Sequence, residues 1–316
     1  MKRFRIPWLV DVALSDDAAE IESLAQNSML DRAYADRSVL LNGVILKRVR
    51  KTLELDGKPF PTVAPRCAQG RDEAQEALWK HLSDLAPQLS TGPEELESLA
   101  AFVRGDGPDE VCGQLIQHVV GRLFASDFEA TPASWSAALL LDKAPRTMNP
   151  IFLVWWAATG RIQQAKRLLA GMVGDNLAAL HAIGIAVHNI VSGVTLMRQL
   201  YSDPIARASI PPEEAVSRCL VAPATVIRQP TSSDDSAQFD FKTSTLVLLS
   251  LRSANEKSPS KDVAFLRNTW SRCPAEQWVP ALLEGIWRRA SNPASRTVIR
   301  VGADAASNWR MTNFVS

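Results

Sequence analysis

The chain has 316 residues, 46% hydrophobic and 22% charged, enough apolar material for a sizeable core in a soluble globular protein. A net charge of +1 supplies no strong field for nucleic acid, and the basic run LKRVRK (46–51) reads as the solvated face of a helix. The cysteines Cys67, Cys112, Cys219 and Cys273 are widely separated, with no C-x-x-C pair. That leaves a zinc ribbon or redox dithiol unsupported and fits a reducing cytoplasm.

The opening MKRFRIPWLVDVALSDDAAE is basic and then briefly apolar. Pro7 and Asp11 interrupt the apolar run, so it reads as neither a signal peptide nor a membrane anchor. No run of about eighteen apolar residues follows, and the expectation is a cytoplasmic protein with no membrane span. From 16 to 220 the pattern is mostly helical, with apolar residues at three- and four-residue steps in AAEIESLAQNSML, SVLLNGVILKRVRKTLEL, EAQEALWKHLSDL and PEELESLAAFV. Asp36, Thr91 and Thr131 precede helical patterns as start signals. The segment LDGKPFPTVAPRCAQG (55–70) is rich in Pro and Gly and predicts an extended surface loop. NPIFLVWWAATG (149–160) is read as a buried core helix in preference to a membrane-facing patch or a pocket lid.

After residue 220 the texture changes. ATVIRQ (224–229) and FDFKTSTLVLLSL (239–251) have the composition of strands, with the polar turn PTSSDDSAQ (230–238) between them. A helix follows Cys273, and SRTVIRVG (295–302) predicts a last strand. Trp278 and Trp287 lie nine apart, compatible with one buried face. The fold class is therefore mainly α with a small β region.

Cys273 begins a helix, with Pro274 at its first position and Ala275 leaving space beside the sulfur. A thiolate there gains from the helix dipole and free N–H groups. It could be a nucleophile, an axial ligand to haem iron, or a buried structural thiol. The residues alone favour the last.

The order strand, turn, strand, loop, R-C-P-A, helix resembles the C-terminal part of the cytochrome P450 superfamily, the haem-thiolate monooxygenases. SRCPAEQ (271–277) carries the R-C-P-A element, FKTSTLVLLSLRSAN (241–255) matches the family's P-K-G-T-x-V strand at Lys242, Ala254 and Asn255, and PATVIRQ (223–229) is similar to its propionate-binding strand. DNLAALHAIGIAVHNIVSGVTLMRQLYSDP (175–204) looks like the long central helix, roughly 40 Å at 1.5 Å per residue. On that helix His181, Gly184, His188, Ser192 and Thr195 fall on one face by three- and four-residue steps. By themselves, these histidines read as ordinary hydrogen-bonded residues of a buried helix.

The match covers roughly residues 107–302. It implies one cytochrome P450-like domain over 1–316, with 1–106 as divergent N-terminal helices, part of the N-terminal β region missing, and a chain shorter than usual members. It implies haem b with Cys273 as the iron ligand, Arg228 on a propionate, and Trp270 and Arg272 on the cofactor. Gly184 would leave room for dioxygen, and His188 and Asn189 would be catalytic on the distal side. The chemistry implied is oxidation of a small or medium apolar molecule, monooxygenase- or peroxygenase-like, with peroxide or an external redox partner, because no flavin or iron–sulfur motif is present. The alternative is a scaffold that has lost haem and binds a ligand or protein partner.

There are three departures from the family pattern, and the first two favour the alternative. The family's E-x-x-R is replaced by Glu214 and Arg218, four apart. FLRNTWSRC (265–273) has no glycine where the backbone turns. Val187-His188 stands where the family commonly carries an acid and a threonine, leaving His188 as a general base. A metal site from His181 and His188 lacks a third ligand and is discounted.

Overall fold

The computed structural model describes residues 1–32, 39–91, 94–147, 149–174, 176–232 and 241–292. Asp36, most of the 230–238 turn and the 295–302 strand expected from the sequence lie outside them.

The chain opens with a hairpin of β1 (Lys2–Ile6) and β2 (Val10–Ser15), where helices had been expected. After α1 (Ala18–Gln26) and β3 (Leu30–Asp31), this hairpin joins β6 (Val226–Pro230) and β7 (Leu246–Leu249) in a five-stranded sheet of order β1-β2-β7-β6-β3. The β2–β7 pairing is parallel, Val12 opposite Leu246, and the other three pairings are antiparallel. An N-terminal β region is thus present, and it is tied to the C-terminal strands. Buried Asp11 fixes the junction by accepting from the Thr245 hydroxyl at 2.9 Å, while the Asn42 amide donates to the Asp11 and Ser244 carbonyls at 2.7 and 2.8 Å.

The helical body begins with α2 (Leu40–Thr52), followed by a small hairpin, β4 (Glu54–Leu55) and β5 (Lys58–Pro59), and a 3₁₀ turn at Pro61–Val63. This segment is more than a surface loop, because Phe60 is fully buried. Next come α3 (Arg71–Thr91), α4 (Glu94–Arg104) and α5 (Asp109–Arg122). Then follow α6 (Pro132–Arg146), α7 (Pro150–Thr159) and α8 (Arg161–Val173). Thr131 starts α6 with a reciprocal capping box to Ser134. The α7 expectation is corrected: Trp156 is buried, but Ile151, Phe152 and Trp155 are 75%, 48% and 43% exposed. The segment is apolar without a polar face, so periodicity gave no sign of which side meets the core.

Among the described residues one helix, the central α9 (Leu177–Ser202), is long and apolar enough to cross a membrane. It packs here against α4, α5 and α11 (Pro212–Cys219), after the short α10 (Pro204–Ser209). Gly193 permits the α11 approach, because a Cβ there would meet the Cys219 carbonyl at 2.7 Å. Two short helices, α12 (Leu251–Lys257) and α13 (Lys261–Phe265), lead to the Cys273 loop, and α14 (Val279–Ser291) closes the body. Trp278 and Trp287 are core residues, 3% and 1% exposed.

Candidate functional site

Cys273 has extended backbone and precedes a 3₁₀ turn, Pro274–Gln277, that runs into α14. The loop carrying it makes its reversal at Leu266, in the left-handed region at φ 50° and ψ 46°. A leucine there is uncommon, and it takes the turn that a glycine would take without strain. The Cys273 amide donates to the Phe265 carbonyl at 2.7 Å, closing the loop. Helix α3 holds its outer edge: Arg71 donates to the Trp270 carbonyl at 2.8 Å and Gln75 to the Arg272 carbonyl at 2.9 Å. From the sheet, Arg228 donates to the Ser271 hydroxyl at 2.6 Å.

The thiol lines a cavity of about 100 Å³ between this loop and the central helix. Phe265, Pro274, Ala275 and Trp278 line the cysteine side, Leu78 and Leu82 come from α3, and Ala178, His181, Ala182, Ala186 and Asn189 come from α9. Alanines at 182 and 186 keep that wall open. Burial pushes the Cys273 thiol up, opposed by a hydrogen bond from the Ala275 amide and by the charge of Arg32.

The distal residues are redistributed. Residues Ala182–Ala186 form a π turn inside α9, and its extra residue rotates everything beyond it relative to an ideal 3.6-residue helix. His181, which precedes the turn, faces the cavity, whereas His188, beyond it, does not. The His188 Nε2 lies 2.9 Å from the Ala138 carbonyl, and its ring packs against Trp135 in a tilted arrangement with centroids 5.1 Å apart. Gly184 also faces the neighbouring helices, where a Cβ would lie 3.1 Å from Leu141 and Leu169. These placements correct the reading of His188 and Gly184 as distal-pocket residues. Asn189 does line the cavity, and its Oδ1 accepts from Arg252 at 3.3 Å.

On the other side, Trp270 is not among the cavity-lining residues. Its ring is instead surrounded by three guanidinium groups, those of Arg32, Arg71 and Arg228, at 5.3, 4.8 and 5.0 Å from its centroid. All three arginines are buried. Trp270 Nε1 and Arg71 Nε are buried N–H donors with no hydrogen-bond acceptor among the described residues. Arg272 points away from the cavity, stacking on Trp79 at 4.0 Å and pairing with Glu76 at 3.2 Å. Sequence reasoning missed Arg32, Arg71, Thr62 and the alanines. Arg32 and Arg71 fall in segments where no family motif was recognised.

The Glu214–Arg218 pair does form, but both side chains are about half exposed. It is a surface pair on α11. Among the described residues no group of three or more His, Cys, Asp or Glu side chains could hold a metal ion.

No protein-family model matches the sequence, and no curated protein matches it. Solved structures do. A six-coordinated cytochrome P450 from Thermus thermophilus matches with TM-score 0.58 at 17% identity, over 91% of this chain and 86% of that one. A second structure, from another strain of the same species, gives 0.57 at 17% identity, over 91% and 84%. One from Streptomyces coelicolor gives 0.57 at 12% identity, over 90% and 83%. The chain has the cytochrome P450 fold, mainly helical with a small β region, in a divergent form.

Proposed function

We propose that this protein is a haem-thiolate oxidoreductase, monooxygenase- or peroxygenase-like, acting on a small or medium apolar molecule. The observation that carries the reading is the position of Cys273: a loop cysteine at the start of a helix, its thiol on a cavity whose other wall is the small-residue face of the central helix. The donor set suits haem b. Coordination to iron would deprotonate the thiol that burial otherwise holds neutral, and the Ala275 amide is already directed to the sulfur. Arg228, with Arg71 and Trp270 beside it, would hold the propionates, and the unmatched Nε1 of Trp270 and Nε of Arg71 call for an acceptor. When bound, a thiolate-ligated haem favours O–O cleavage. The chain's own residues shape the space: Ala182 and Ala186 leave room, apolar walls exclude water, and the Asn189 amide would hydrogen-bond a bound ligand. Electrons would come from an external redox partner, or peroxide would replace them.

A second reading draws on the size of the cavity. About 100 Å³ is below the roughly 300–1,000 Å³ of pockets for drug-sized ligands, which favours a haem-free scaffold holding a small ligand. Titrating the purified protein with haemin separates the two. Stoichiometric uptake that Cys273→Ala weakens or alters in spectrum supports the enzyme. Absence of saturable uptake supports the scaffold.

A further inference from the structure

The cavity is largely apolar, yet its wall carries a hydrogen-bonded polar pair contributed by distant parts of the chain. Thr62 lies in the turn Pro61–Val63, and its hydroxyl is 2.8 Å from Nδ1 of His181, on α9. Both residues line the cavity. The pair is firmly held: the Thr62 carbonyl accepts from Arg32, and the His181 ring packs against Phe60 at 5.6 Å between centroids. Nε2 of His181 makes no hydrogen bond with the described residues. His181 is only partly buried, and Nε2 is not among the buried polar atoms without a partner, so this nitrogen meets open space. An apolar ligand filling the cavity would strip its hydration with nothing in return, whereas a ligand with a polar atom there would replace it.

The electrostatics narrow the ligand. Burial and the charge of Arg32 lower the His181 pKa to about 4, so the ring is neutral near pH 7 and presents one nitrogen as donor or acceptor. The Thr62 hydroxyl can serve as either donor or acceptor toward Nδ1, so the pair can adjust its polarity. Arg32 disfavours an amine. We propose that the Thr62–His181 pair is the recognition point of this cavity for a small, otherwise apolar ligand bearing one neutral oxygen: an alcohol, ketone or phenol. The inference rests on the reading above in taking the cavity as the ligand space, and it does not require haem.

Phenol and toluene are suitable probes, because they differ by a hydroxyl in place of a methyl. Their dissociation constants are measured by calorimetry on the full chain and on Thr62→Val, Thr62→Ser and His181→Leu. The preference for phenol relative to toluene should fall about tenfold in Thr62→Val and His181→Leu, the scale of one net hydrogen bond. Toluene affinity should stay within about threefold, and Thr62→Ser should keep the preference. An unchanged preference in both variants, or no binding of either probe to the wild type, overturns the proposal. Should a variant fail to fold, nitrogen-15 histidine spectra of the wild type decide: phenol should shift the His181 ring nitrogens and toluene leave them, and equal shifts overturn it. Haem content, read from absorbance on the same samples, is independent. A haem-free protein that shows the loss of preference supports the pair and sinks the haem reading, whereas haem uptake with unchanged preference does the reverse.

Discussion

His188 and Trp135 pack with ring centroids 5.1 Å apart and planes tilted by 37°, joining the central helix to α6 on the side away from the Cys273 cavity. With its Nε2 bonded to the Ala138 carbonyl, His188 has a structural role. His188→Ala should destabilise the protein by about 2–4 kcal/mol, since it opens a cavity and strands a carbonyl. Denaturant unfolding checks this, and haemin uptake of the folded variant should match wild type. Loss of uptake at unchanged stability would restore His188 to the site.

His181 makes stability depend on acidity. Its folded pKa of about 4 lies below the 6.5 of a free histidine, so the two states are equally protonated, and its contribution constant, above about pH 6.5. As pH falls below that, the unfolded chain takes up a proton the native imidazole refuses, and stability drops until about pH 4. The loss approaches roughly 3 kcal/mol by linkage. His181→Gln should flatten the stability profile across this window, measured by urea unfolding at several pH values. Arg32, the charged neighbour acting on the ring, should be left intact.

Leu266 sets backbone strain against burial. Its left-handed conformation costs about 1–2 kcal/mol for a residue with a Cβ, while losing a buried leucine side chain costs about 2–5 kcal/mol. Leu266→Gly therefore destabilises. It should nevertheless be more stable than Leu266→Ala by about 1 kcal/mol, because alanine loses the side chain and keeps the strain. Thermal and denaturant melts of the two variants check the order, and alanine above glycine would contradict this backbone assignment.

At Gly193 the central helix touches α11, and a Cβ would lie 2.7 Å from the Cys219 carbonyl. Backbone cannot yield as a side chain does, so Gly193→Ala should cost about 1–3 kcal/mol by forcing the helices apart, despite alanine's higher helix propensity. Cys219 lines the same cavity, so the binding of small apolar probes should change with stability.

The amino-acid pattern carried the helical body, the two C-terminal strands, the long central helix and the cysteine at the head of the last helix, because these rest on periodicity and local caps. Thr131 and Ser134 are a case where a local signal was enough. It did not carry the π turn at Ala182–Ala186, since face assignments assume 3.6 residues per turn. That assumption placed His181 and His188 together and Ala182 nowhere. Thr62 was hidden for a different reason: its partner is 119 residues away, and it lies in a Pro- and Gly-rich segment that looks like surface. The β1–β2 hairpin was missed because Lys2, Arg3 and Arg5 on an exposed strand blur its alternation.

The most direct test of the central claim is the absorption spectrum of haem-reconstituted, reduced protein under carbon monoxide, with Cys273→His beside it. Thiolate ligation by Cys273 predicts the red-shifted Soret band typical of thiolate–haem in the wild type and its replacement by an imidazole-type band in the variant. The same imidazole-type band in both, or no Soret band in either, would contradict it.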